Sequence, residues 1–228
     1  IITPVFGASV TNKITFNGNG RQLRFLSTNT NERAVIKLNG ADHFVFDSLQ
    51  ITATGSTTTE YGFTVQLIND ADSNTFRKCT IEANAVSTST NFTPVVISSS
   101  ATSASATGSA NCDGNTFSDN TIIGGYYSVT NIGSSTLANQ NNRFIRNKVQ
   151  EFYLYGFLMN GTFNSLIESN DISRLTRTNS ATAIYGIYFT GLSTNARINA
   201  NYIHSLFDGA TTTTNDAYGI YSTGVDAL

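Results

Sequence analysis

Apolar and polar positions recur along this chain in two short alternating phrases. The first places an apolar anchor, two free positions, an Asn or its substitute, one more free position, then Ile or Val, as in "NTFRKCTI", "NTFSDNTI" and "NRFIRNKV". Its anchors are Phe46, Phe76, Phe117, Phe144, Ile167 and Ile198. Three residues on stand Leu49, Cys79, Asn120, Asn147, Asn170 and Asn201, and two further on Ile51, Ile81, Ile122, Val149, Ile172 and Ile203. The second phrase begins at Tyr61, Thr93, Tyr127, Tyr155, Tyr185 and Tyr218, with "AVIKL" at Ala34 a degenerate member. Phe63, Val65 and Leu67 alternate within it, as do Ile187 and Phe189, which is strand periodicity and not helix periodicity. The anchors are 30, 41, 27, 23 and 31 residues apart. Repeated strand phrases joined by variable loops predict an all-β solenoid, a parallel β-helix of about seven coils, each ~4.8 Å above the last.

In such a stack each anchor meets its own kind above and below, so Phe46, Phe76, Phe117 and Phe144 are expected to form an interior aromatic stack. The Asn series marks a bend, where an Asn adopts the unusual backbone angle and bonds the Asn of the next coil. The loops between strands, such as "TATGSTTTE", "SSSATSASATGSANC" and "DGATTTTND", are rich in Thr, Ser and Ala and read as surface. Residues 1–228 form one domain, with 1–33 a less regular first coil or coil junction. The closing phrase "YGIYSTGVDAL" brings no amphipathic cover for the last coil, so the chain is expected to be a fragment of a longer protein.

Composition narrows the classes of function. The net charge is −2 and only 12% of residues are charged, which leaves no basic surface for nucleic acid. No apolar run approaches the ~20 residues of a membrane helix, so no membrane insertion is expected. Two cysteines are too few for a disulfide scaffold; Cys79 and Cys112 fall at different repeat positions and are expected to be unpaired, Cys79 buried and Cys112 in a polar loop. Lys78, Asp119 and Arg146 share one outward position, as do Lys148 and Asp171, and predict short alternating charge ladders.

With "LNGADHFVFDSLQI" before them, the repeats "NTFRKCTI", "NTFSDNTI" and "NRFIRNKV" resemble those of the pectate-lyase-like superfamily of right-handed parallel β-helices. They are most similar to β-helix segments of large secreted surface proteins of Bacteroidetes bacteria. The resemblance covers the chain from about Ala34 onward and implies a right-handed, single-stranded parallel β-helix. It also implies a set of roles that includes lyases, hydrolases, adhesins and spacers. The pectin-hydrolysing members' paired Asp residues and Gly-His-Gly phrase do not occur; the histidines are His43 and His204, and Arg197-Ile198-Asn199 lacks the family's Lys. Lyases of this fold use clustered acids for Ca²⁺. Asp42, Asp72 and Asp113 each lie four residues before an anchor and would stack. Three stacked carboxylates hold either Ca²⁺ or their own turns, the latter by side-chain-to-backbone hydrogen bonds.

The connections from the first phrase to the second differ in length. They hold 9, 11, 4, 5, 12 and 14 residues in order, so two short central coils make a saddle between longer loops. Its floor carries Tyr126, Tyr127, Glu151, Phe152 and Tyr153, flat apolar rings with one carboxylate, which suit a sugar face. The competing expectation places the repeated tyrosines in an inward or corner stack. The functional expectation is a non-catalytic, extracellular structural or adhesive module whose partners are neighbouring coils or domains of the same larger protein, and polysaccharide or cell-surface glycan. The alternatives are a polysaccharide lyase or glycoside hydrolase, and a passive glycan-binding domain.

Overall fold

The structure is a computed structural model that describes residues 1–211 and 216–223. Residues 212–215 of the loop at 208–216 and the last five residues of the closing phrase lie outside the described residues. Three seven-stranded parallel sheets run the length of the chain, and each coil contributes one strand to each sheet. The anchor strands of coils 1 to 7 are Ile14–Asn17, Phe44–Asp47, Thr75–Arg77, Thr116–Ser118, Arg143–Ile145, Leu166–Glu168 and Arg197–Asn199. They form the anchor sheet. The second sheet runs from Gln22–Phe25 to Tyr202–His204, and the third from Ala34–Asn39 to Asp216–Ser222. Among the described residues there is no helix, and so none long and apolar enough to cross a membrane.

Residues 1–33 are more regular than the sequence suggests. They supply two complete strands, and Phe16 pairs with Phe46, so the anchor series begins one coil earlier. The aromatic column is therefore Phe16, Phe46, Phe76, Phe117 and Phe144, with near-parallel rings 5.3, 4.5, 5.1 and 5.5 Å apart. Beyond it, Ile167 and Ile198 carry the column on.

The first phrase is two strands and a bend, and the bend differs from expectation in one respect. The left-handed backbone falls on the residue before the Asn: Ser48, Lys78, Asp119, Arg146, Ser169 and Ala200 all have φ between 52° and 58°. The Asn is thereby freed to work along the rod axis. Asn120 donates Nδ2 to the Phe76 carbonyl and to Asn147 Oδ1, Asn147 does the same toward Asn170, and Asn170 toward Asn201. Cys79, in the same column, receives Asn120 Oδ1 on its amide and is a buried free thiol. A second ladder at Asn74, Asn115 and Asn142 closes the preceding bend, again after left-handed residues (His43, Ser73, Gly114, Asn141). The ladder amides thus find partners in the adjacent coils, Asn142 ending its ladder on Cys112 O and Asn131 of the coil below, which satisfies the corners where sheet hydrogen bonds stop. Cys112 is not in a polar loop: it is fully buried in the core, and burial pushes its thiol up to about 12.

The expected charge ladders form in part. Arg146 grips Asp119 at 2.7 Å, and its guanidinium holds that carboxyl below the usual range. Arg77 pairs with Asp47 at 2.7 Å. Lys148 lies in register with Asp171, but Asp171 bonds His204 at 2.9 Å.

Candidate functional site

The third sheet carries the features that look outward. Its strands pair regularly except at one repeated position, occupied by Thr64, Pro94, Ser128, Gly156, Gly186 and Gly219, where the register skips a residue. At this position the backbone faces the interior and crowds the next coil. A Cβ on Gly156 would lie 2.5 Å from the Gly186 carbonyl oxygen and 3.0 Å from Ile172; one on Gly186 would lie 2.6 Å from the Gly219 oxygen and 2.7 Å from Ile203. Glycine alone fits at Gly156 and Gly186; at Gly219, in the last coil, the same position faces open space. The skip lets Val129, Phe157 and Ile187 turn inward directly after it, while the residue before it turns out.

Tyr127, Tyr155, Tyr185 and Tyr218 occupy that preceding position in coils 4 to 7. Their rings run up the outside of the sheet at 5.3, 5.2 and 4.9 Å. Tyr188 and Tyr221 add a second column, 5.6 Å apart and within 5.3 Å of Tyr185. Tyr126 and Tyr153, 5.2 Å apart, flank the first column. The result is a continuous face of eight tyrosines, all half-buried or exposed, with burial of its ring pushing the Tyr155 hydroxyl upward. An inward stack is therefore not what forms. The first copy of the phrase is shifted: Phe63, not Tyr61, pairs with Thr93, and Phe63 packs outside the sheet with Val96 and Ala104 instead of alternating inward. Tyr61 stands two residues earlier, under the Arg33 guanidinium at 4.0 Å.

The saddle exists in the chain path but is not open. The loop of coil 6 folds back over both short coils, and Arg177 is its clasp. Arg177 donates to the carbonyls of Ser87 at 2.6 Å, Glu151 at 2.7 Å and Gly125 at 3.2 Å, which lie on coils 3, 5 and 4. Its Nε bonds Asn179 Oδ1, whose own amide reaches Val86 O at 2.8 Å. Arg174 does the same on the other side, donating to the carbonyls of Phe152, Leu206 and Asn179. Both guanidiniums are almost wholly buried, and burial pulls each down to about 10, still charged at neutral pH. Neither has a carboxylate in salt-bridge contact among the described residues; carbonyl dipoles replace water around them.

This strap sorts the five expected ligand residues. Phe152 is fully buried beneath Arg174 and cannot touch a ligand. Glu151 has its carboxylate committed to the Thr176 amide. Tyr153 lies against Arg177, 5.2 Å from its guanidinium. Tyr126 and Tyr127 remain part of the outer face. The strap and the second tyrosine column were not anticipated from sequence. The arginines are isolated in polar loops, and Tyr188 and Tyr221 belong to the outward positions that periodicity treats as free.

Asp42, Asp72 and Asp113 do stack, and each holds the next coil. Oδ1 of Asp42, Asp72 and Asp113 accepts the amide of Asp72, Asp113 and Gln140 in turn, each at 2.7 Å. The capping is thus between coils and not within one turn. Among the described residues no group of three or more His, Cys, Asp and Glu could hold a metal ion. Burial, and then the neighbouring carboxylates, push Asp72 up to about 6. Since this lies above the unfolded value of 3.8, the folded chain holds the extra proton between the two, and that stability is lost as pH rises through about 6. Asp72→Asn keeps the acceptor and removes the charge. After discounting for solvent screening, it is expected to stabilise the protein by roughly 1 kcal/mol at pH 7.5 and by nothing at pH 4. Thermal melts of both proteins across that range check this, and an Asn variant that is weaker at pH 7.5 contradicts it.

No protein-family profile matches the chain, and no curated protein matches it. Solved structures to which it is similar include two lyases. One is pectate lyase Pel9A, at a TM-score of 0.49 and 13% identity, covering 98% of this chain and 66% of that one. The other is an alginate lyase from Paenibacillus sp. str. FPU-7, at a TM-score of 0.46 and 13% identity, covering 94% of this chain and 85% of that one. The chain thus spans 66% of the length of the pectate lyase.

Proposed function

We propose that the chain is a non-catalytic adhesive module of a larger extracellular or cell-surface protein, and that its tyrosine face is the surface that meets glycan. The observation that supports this is the placement of eight tyrosines on one outer face of coils 4 to 7. The core closes without them, through Val129, Phe157, Ile187 and their neighbours, so the scaffold does not require aromatic residues there. Stacked tyrosines present ring edges and a row of hydroxyls, with tilted faces at Tyr126, Tyr153 and Tyr188, and such surfaces pack on sugar rings while bonding their hydroxyls. Retention in polysaccharide gels and on glycan arrays tests the reading. Tyr188→Ala with Tyr221→Ala is expected to weaken retention at least fivefold without changing the melting temperature by more than a few degrees. Retention unchanged in that variant defeats the glycan assignment, and turnover of any polysaccharide by the wild type replaces the module with a lyase or hydrolase.

A further inference from the structure

The outer face of the anchor sheet, together with the bend that leads into it, carries charges whose order along the rod is acidic at one end and basic at the other. Coils 2 to 4 bring the acidic column Asp42, Asp72 and Asp113, whose Oδ2 atoms carry no hydrogen bond among the described residues. Coils 5 and 7 bring Arg143 and Arg197, both exposed, with Leu166 between them in the same register column. Neither guanidinium has an ion pair or hydrogen bond among the described residues, and the two flank a groove of about 400 Å³ with Thr116, Asn141 and Asn164. The strands of coils 2 to 6 are interior to this sheet with their backbone paired on both sides, and of these charged coils only coil 7 stands at its edge, so across the face itself side chains must do the recognising.

We propose that this face is an interface with a second copy of the same chain, the two rods lying antiparallel about a two-fold axis between coils 4 and 5. Such an axis sets coil 7 against coil 2, coil 6 against coil 3, and coil 5 against coil 4. Arg197 then faces the second copy's Asp42, and Arg143 faces its Asp113. Each acid lies three residues before the arginine's own column position, around the left-handed bend, within reach of the long arginine stem. Arg77 of coil 3, paired within its own chain with Asp47, meets Glu168 of coil 6, and the Arg146–Asp119 pair of one copy meets the same pair of the other with the signs reversed. The uncharged pairs are Thr75 with Leu166 and Ser118 with Ile145. No like charges are opposed across the axis on these columns. A parallel pair of rods would instead set each arginine against its own copy.

A face about 30 Å long by its strand spacing buries on the order of 1,000 Å² in all, the low end for a specific interface. The dimer is therefore expected to be weak and salt-dependent, with Kd roughly in the tens of micromolar at low ionic strength. Sedimentation equilibrium of the whole chain in about 20 mM and about 500 mM salt reads this directly. The expected results are dimer at low salt, monomer at high salt, and at least tenfold weaker association for Arg143→Gln with Arg197→Gln. Tyr188→Ala leaves association unchanged, which separates this face from the tyrosine face. Register is tested by Thr75→Cys with Leu166→Cys: oxidation links position 75 of one copy to position 166 of the other. Within one chain these positions lie three coils apart, about 14 Å, too far to bridge. A monomer at about 1 mM in low salt, a dimer indifferent to the arginine substitutions, or a dimer that forms no such crosslink each overturns the proposal.

Discussion

Phe117→Ala is expected to remove about 4 kcal/mol of stability, a large share of what a chain this size holds. Phe117 is fully buried in the middle of the anchor column, stacked 5.1 Å from Phe76 and 5.5 Å from Phe144. Truncation takes away a ring's transfer energy, leaves a cavity, and breaks two aromatic contacts worth roughly 0.5–1.5 kcal/mol each. The cavity cannot collapse easily. The strands on either side are fixed by their ladders, and the Asn120 amide holds the Phe76 carbonyl one coil below. Phe16→Ala supplies the contrast. It deletes the same ring at the open end of the same column, where the side chain is 45% exposed and has one neighbouring coil, and it is expected to cost under about 1.5 kcal/mol. Urea unfolding of both variants gives the comparison. Equal losses at the two positions would mean that the column does not carry the stability its packing suggests.

The anchor column was legible in the sequence because its physics is repetitive. A parallel stack demands that each interior position meet its own kind, so Phe, Asn and Ile recur at fixed offsets whatever the loops do. The same logic exposed the Asn120–Asn147–Asn170–Asn201 ladder and the stacking of Asp42, Asp72 and Asp113. It misplaced the left-handed angle by one residue, because Lys78, Asp119 and Arg146 at that position look like ordinary surface charges. Positive φ carries no side-chain signature here: Ser, Lys, Asp, Arg and Ala all adopt it, followed by Leu49 and Cys79 in coils 2 and 3 and by Asn in coils 4 to 7. The third sheet was misread at its skip. Strict alternation would send Tyr155 and Phe157 to the same side, and only the close approach of Gly156 to Gly186 separates them. The competing inward stack failed for that reason. The strap was invisible for a different cause: loop-to-loop hydrogen bonds between residues as far apart as Ser87 and Arg177 leave no periodic trace.

Arg177→Ala is the second large effect expected, a loss of about 3 kcal/mol concentrated in the loops and not in the sheets. One guanidinium closes three carbonyls on three different coils, those of Ser87, Gly125 and Glu151, inside a region from which water is excluded. Removing it leaves the Ser87 and Glu151 oxygens without a donor, while Gly125 O keeps the Tyr153 amide, and opens a channel beneath the loop of coil 6. Hydrogen exchange should then quicken in residues 84–91 and 174–182, while the amides of the Asn ladder stay protected. Arg177→Lys keeps the charge and three donors but not the planar fork that spans carbonyls on successive coils, so it should recover no more than about half of the loss. Arg174, with its separate carbonyl set at Phe152, Leu206 and Asn179, holds the other side of the same loop. Because Arg174 and Arg177 share Asn179, their effects should not add. The double alanine variant is expected to cost less than the two single losses combined, since releasing either guanidinium already frees the loop. Strict additivity, or unchanged exchange in both loops of the single variant, would show that the two arginines fill space without clasping the coils together.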